Sequence, residues 1–525
     1  MKACFHLLLL AVICVCLSAA QQSDPIPGSL ANSTSSQDTQ DSSVSLADQA
    51  RKLRKDHSEE VQMTEADASK LFAAVDRITK FASEDTGFPL HSPVKRRMIN
   101  PDELEQSARE NLSKKDYADR FGRSELTMKK FGLLPRDFDL KEFLVRAQRK
   151  DIAAYYDDET KTISMLNTIP VEQQEAILAH ELTHALQDQN YDLRNWLREA
   201  GGTDENDATR RAVVEGQATI VFIDYLLARV GRSVENTPGI VYRMEDPAVK
   251  YAVDSQLMHD APMILREWGT FPYREGLMFE NELLQSGGKK LAFSEVFTHP
   301  PTSTHDIIQP KAYLEGQNVA PLLVPSVKSI LGDGYEEYDS GSMGELDVRA
   351  LLWQLGTRTL ADDLSKSWRG GSYIAVRPKS NAPANVPQLK LLYVSRWSTA
   401  EAARRFARFY ANGTLRRYQS ASFDGNLGCS TSDCPISSVL VTTEEGPVMV
   451  DLWKDNTVLV SESFDQDTAA KLISATRDME QKSAVLAPAQ PELGVRFYDE
   501  PAFRALQQNA GEEILDRLIL KNSGN

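Results

Sequence analysis

Ala179-His180-Glu181-Leu182-Thr183-His184-Ala185 is an HExxH stretch inside a run, Val171 to Gln189, that contains no helix breaker. Pro170 stands near the expected start of that helix. At 3.6 residues per turn, Ile177, His180, Glu181, His184 and Asp188 share one face, and Leu178, Leu182, Ala185 and Leu186 form the packing side. Two neutral imidazoles spaced this way can grip one Zn²⁺. The carboxylate between them can accept a proton from a metal-activated water. Asp188 reads as an exposed helix-end carboxylate, with a hydrogen-bonding role behind the site as the alternative.

A catalytic zinc needs a third protein ligand and one open position. The candidate is Glu215, in Ala212-Val213-Val214-Glu215-Gly216-Gln217-Ala218-Thr219, followed by the apolar run Ile220 to Leu227. This segment is apolar on nearly every side, so it predicts a buried helix in which an unpaired carboxylate is expensive. A metal ion is one counter-charge; Arg211, one turn earlier, is the other. Gly216 and Ala218 are small enough to let the HExxH helix approach closely, which favours the metal. Glu205 and Asp207 are fallback ligands. Outside the motif, His299 and His305 read as turn residues before a helix. Either of them, or Tyr155, Tyr156 or Tyr313, is an alternative donor to the oxyanion of acyl transfer.

Directly before the motif helix, Ile152 to Tyr156 and Thr162 to Leu166 flank Asp157-Asp158-Glu159-Thr160-Lys161, a β-hairpin signature. Such a hairpin either offers an edge strand to an extended peptide or simply packs. Upstream, Leu71, Phe72, Val75, Ile78 and Phe81 recur at helical spacing, and residues 61–135 read as an all-helical segment, either a cover for the site or a support. Beyond Tyr373, Arg377 to Pro387 reads as a linker, and residues 388–525 as a separate α+β domain. Its strands are expected at Leu389 to Val394, Ser438 to Thr442, Val448 to Trp453 and Val458 to Ser461. Its helices are expected after a Ser398/Glu401 capping box and after Asp465.

The chain's 525 residues and 41% hydrophobic content suit several packed cores. A formal net charge of -16 works against binding phosphate backbones, so nucleic acid is not an expected partner. Residues 1–20, with Lys2, the apolar run Phe5 to Leu17 and Ser18-Ala19-Ala20, read as a cleaved signal peptide. A Ser-, Gln- and Asp-rich leader at 21–60 reads as disordered. A secreted or periplasmic protein without a membrane span is expected, with Cys429 and Cys434 forming a local disulfide.

His180 to Gln189 together with Val214-Glu215-Gly216-Gln217-Ala218-Thr219 resembles secreted bacterial zinc metallopeptidases of the gluzincin type. Tyr155-Tyr156-Asp157, Pro300-Pro301-Thr302-Ser303-Thr304 and Trp368-Arg369-Gly370-Gly371-Ser372-Tyr373 also look like recurring elements of that family. The resemblance implies an α+β chain with a zincin-like metallopeptidase core over residues 136–376. It implies Zn²⁺ held by His180, His184 and Glu215, with Glu181 as general base acting on a protein or peptide substrate. His305, where relatives carry an acidic residue, departs from the pattern, as does Arg369-Gly370-Gly371-Ser372. The competing class is a non-catalytic envelope protein with a structural metal and a partner-binding C-terminal domain.

Overall fold

Flanked by apolar residues on its packing side, the HExxH stretch must bury itself against other elements. In the computed structural model it lies in helix α4 (Val171–Tyr191). The structure describes residues 63–100, 103, 115–147, 154–167, 169, 171–199, 204–242, 256–317, 319–320, 322–326, 328–379, 389–424, 438–454, 456–483 and 507. The expected signal peptide, the leader and Cys429 and Cys434 lie outside the described residues. The chain is α+β, and Met63–Leu515 forms one unit. No helix among the described residues is long and apolar enough to cross a membrane.

The helical half begins with α1 (Glu65–Thr86). Thr64 caps its start by accepting from the Asp67 amide, and Gly87 ends it at φ 79, a left-handed conformation that suits glycine. After α2 (Lys115–Phe131) and α3 (Leu140–Ala147) come α4, the short α5 (Leu193–Arg198), α6 (Asp204–Ala228) and the long α7 (Met263–Lys290). Helix α6 is buried nearly all round, as its apolar sequence requires, and packs on both α4 and α7. The role expected for Gly216 is corrected. It admits α7 rather than the HExxH helix: a Cβ at Gly216 would lie 2.4 Å from the Gly276 carbonyl oxygen, and one at Gly276 would lie 2.3 Å from that of Ala212. The two backbones touch because neither glycine has a side chain.

The hairpin forms as expected, β2 (Ala154–Asp157) antiparallel to β3 (Thr162–Leu166). The Asp157 carboxylate shapes the turn by accepting from the amides of Glu159 and Thr160, and Lys161 adopts φ 56. Residues 61–135 are not all-helical. Lys95–Ile99 forms β1, parallel to β3, so the small sheet runs β1-β3-β2 and, among the described residues, β2 is an edge strand. Only Ile99 is buried in β1, which is why its charged sequence gave no alternating strand signal.

The second sheet is antiparallel, in the order β4-β5-β6-β10-β9-β8-β7. Its strands are β4 (Tyr335–Ser342), β5 (Trp368–Pro378), β6 (Lys390–Trp397), β7 (Ala421–Phe423), β8 (Ser438–Thr443), β9 (Gly446–Trp453) and β10 (Thr457–Glu462). All four expected strands are present. The expected domain boundary is not, because β5 and β6, which flank it, pair from Trp368↔Trp397 to Val376↔Lys390. After α8 (Glu345–Leu355) and α9 (Arg358–Leu364), helix α10 (Ala400–Arg417) starts one residue later than expected, with Thr399 rather than Ser398 accepting from the Ala402 amide. Helix α11 (Gln466–Ser483) follows Asp465, which accepts from the Thr468 amide. Ile374, Val376, Leu392, Phe464 and Leu472 pack into one apolar cluster. On α2, Phe131 meets Tyr373 and Tyr393 edge-on, and the buried Lys130 donates to Glu445 and Ser463. The N-terminal segment is thus tied to both sheets.

Candidate metal centre

Helix α4 presents His180 and His184 one turn apart, and α6, crossing it, presents Glu215. His180 Nε2 lies 3.1 Å from Glu215 Oε2 and 3.1 Å from His184 Nε2, and His184 Nε2 lies 3.4 Å from Glu215 Oε2. Bonds of about 2.0–2.1 Å to a tetrahedral zinc place neighbouring ligand atoms about 3.3 Å apart. The trio therefore has the edge lengths of one face of such a tetrahedron. It is the one group of three or more metal-ligating side chains found among the described residues.

Exposure is graded across the trio: the side chain of His180 is 3% exposed, that of His184 12% and that of Glu215 19%. Glu215 thus keeps the most exposed side chain of the three, on the side where a fourth position of a zinc site would have to open. Burial opposes charge on His184, but the Glu215 carboxylate overrides it and raises the imidazole to about 9. Burial also opposes charge on Glu215, yet the imidazoles, His184 foremost, hold it well below the ordinary carboxylate range. A carboxylate kept ionised beside two imidazoles is available to a cation that displaces the imidazole protons. The groups within hydrogen-bond distance of Glu215 Oε2 include both imidazoles, and these lower its carboxyl, His184 foremost.

Glu181 is buried, and burial raises its carboxyl, partly offset by His184 and His180. That is the direction a general base working near neutral pH needs. Its Oε2 accepts the Tyr156 amide at 2.8 Å. Because that N–H points to Glu181, it lies on the free side of β2, away from β3. Glu181 is thereby held against the outer edge of β2.

Asp188 corrects the expectation of an exposed carboxylate. It is buried, its Oδ2 accepts the Tyr156 hydroxyl at 2.7 Å, and its Oδ1 accepts Lys161 Nζ at 2.7 Å. Tyr156 thus spans two turns of α4, with its amide on Glu181 and its hydroxyl on Asp188. The side chain behind an imidazole is Gln187, whose Oε1 lies 2.9 Å from His184 Nδ1. It carries no sequence signal of its own, since a neutral amide beside Thr183, His180 and His184 on one helix face breaks no pattern.

The remaining candidates lie elsewhere. Glu205 accepts from the amide and hydroxyl of Thr304, and neither it nor Asp207 joins the trio. His305 is buried against Glu345 at 2.6 Å, His299 bonds to Thr298, and the Tyr313 hydroxyl donates to the His299 carbonyl. The Tyr155 hydroxyl accepts from Arg97. One ring beside the site was not foreseen: Tyr273 of α7 stacks on His180, with centroids 6.1 Å apart and planes 25° apart.

Residues 333–471, from β4 into α11, match a family described as a domain of unknown function, DUF8575. That segment contains the second sheet and none of the trio. No curated protein and no solved structure matches the chain.

Proposed function

We propose that the chain is a zinc-dependent endopeptidase with a zincin-like core, in which His180, His184 and Glu215 hold the ion and Glu181 is the general base. The observation that carries this reading is the meeting of three ligating atoms at 3.1–3.4 Å, with an anchored carboxylate beside them. A zinc ion bound there supplies Lewis-acid activation of water and polarises the scissile carbonyl. The protein's own groups do the rest. Glu181 takes a proton from the attacking water and passes it to the leaving amine. The Tyr156 amide keeps Glu181 Oε2 in place during both transfers. With the Tyr156 amide taken by Glu181, the remaining main-chain groups on the outer edge of β2 offer hydrogen bonds to an extended peptide, a mode that tolerates varied sequences. Export to the envelope or beyond, proposed from residues 1–20, suits an enzyme acting on protein segments.

A structural metal in a non-catalytic envelope protein requires no base beside the ion, so a buried carboxylate between the imidazoles speaks for the enzyme. Glu181→Gln tests the choice. Zinc is expected to remain bound while cleavage of unfolded protein or peptide substrates is lost. Equal cleavage by both forms overturns the peptidase reading.

A further inference from the structure

Two amides behind His184 form a directional relay. Gln217 Nε2 lies 2.7 Å from the Ala292 carbonyl oxygen, which can only accept. Gln217 must therefore turn its NH₂ to Ala292 and its Oε1 to Gln187, 2.8 Å away. Gln187 Nε2 donates to that Oε1 and also, at 3.0 Å, to the Val214 carbonyl oxygen. Its own Oε1 is left facing His184 Nδ1 at 2.9 Å. The ring must then carry a proton on Nδ1, which keeps the Nε2 lone pair for the centre. Two main-chain carbonyls thus fix both amide orientations, and the amides fix the tautomer. All of this is sealed from solvent, since both Gln187 and Gln217 are fully buried.

The far anchor is unusual. Ala292 lies in a π-helical segment, Leu291–Glu295, that continues α7 after Gly288, a residue with φ 64 and ψ −167. The Ala292 carbonyl that accepts from Gln217 therefore belongs to a local departure from α-helical register. We propose that Gln217 and the Ala292 carbonyl are positioning elements of the metal centre: without touching the ion, they hold His184 in the tautomer that ligates through Nε2. Zinc affinity is thereby coupled to the packing of a segment more than a hundred residues along the chain from the motif. The inference rests on the trio being a zinc site.

The test uses the full-length purified protein and zinc alone, with affinity read by competition against a chromogenic chelator. Gln217→Leu and Gln217→Met leave every ligand in place, and each is expected to weaken zinc binding 10- to 100-fold. Melting curves report whether each variant is folded. In zinc-loaded wild-type protein with ¹⁵N-labelled histidine, His184 is expected to show a metal-bound Nε2 and a slowly exchanging Nδ1 proton. Wild-type affinity in a folded Gln217 variant, or a His184 bound through Nδ1, overturns the relay while leaving the zinc site standing. Failure of wild-type protein to bind zinc overturns the metal site itself.

Discussion

Glu215 and Glu462 are both carboxylates facing positive groups, yet they do opposite things. Glu462, on β10, has no exposed surface: Arg417 and the Tyr410 hydroxyl donate to Oε1 at 2.6 and 2.7 Å, and the Tyr418 hydroxyl donates to Oε2 at 2.6 Å. The Lys130 ammonium stands 4.0 Å away. Burial opposes its charge, but Arg417 and Lys130 hold it ionised. With its lone pairs taken by fixed protein donors, it has no capacity left for a ligand, and its role is to pin α2 and α10 to the second sheet. Glu215 faces imidazoles, which can surrender a proton, and keeps an open side. A carboxylate that must stay available to a ligand is surrounded by groups that can let go of it.

The two should therefore fail differently. Glu462→Gln leaves Arg417 and Lys130 without their buried counter-charge and is expected to destabilise the fold by about 3–5 kcal/mol, read by thermal or urea unfolding. Glu215→Gln is expected to abolish zinc binding with little change in the melting of metal-free protein. Comparable melting of both variants would erase the distinction.

Next in size is Gly216→Ala. The new methyl group meets the Gly276 carbonyl, a backbone atom that cannot swing aside, and a loss of about 1–3 kcal/mol is expected. An undiminished melting temperature would show that α6 and α7 are free to separate.

Glu205 sharpens the contrast through pH. Burial, with Asp347 and then Asp306 adding negative charge, pushes it up to about 8, although Thr304 donates to it. Such a carboxyl holds its proton in the folded state while the unfolded chain has released it. Its contribution is intact below the ordinary carboxyl range and is lost as pH rises to about 8. Stability is expected to fall across that window and to fall less in Glu205→Gln. Identical pH profiles would contradict the burial of a proton there.

The smallest effect is expected from Tyr156→Phe. Lys161 still satisfies Asp188, so folding should lose only about 1 kcal/mol. Peptide cleavage should drop while zinc affinity holds, because the hydroxyl steadies the strand that anchors Glu181. Unchanged turnover would separate the β2 edge from catalysis.

Much of the centre was legible in the sequence for reasons these residues make plain. His180, Glu181 and His184 obey helical periodicity, and Glu215 stood out as a carboxylate in an apolar helix. Asp157 to Lys161 carried the turn chemistry of the hairpin. The Gln187–Gln217 relay was not legible, because neutral amides break no pattern and Ala292 lies 75 residues beyond Gln217. The polar strand β4 lacked alternation, and the Pro- and Asn-rich stretch after β5 hid the pairing of β5 with β6. Local rules find a ligand or a turn, whereas partners chosen across the fold leave no such mark.

Zinc content of the purified wild-type chain, measured beside His180→Ala and Glu215→Ala, tests the central claim most directly. About one zinc per wild-type chain, lost in both variants while their folds persist, is the expected result. A folded wild-type protein that takes up no zinc, or variants that keep it, would contradict the assignment of His180, His184 and Glu215 as one metal centre.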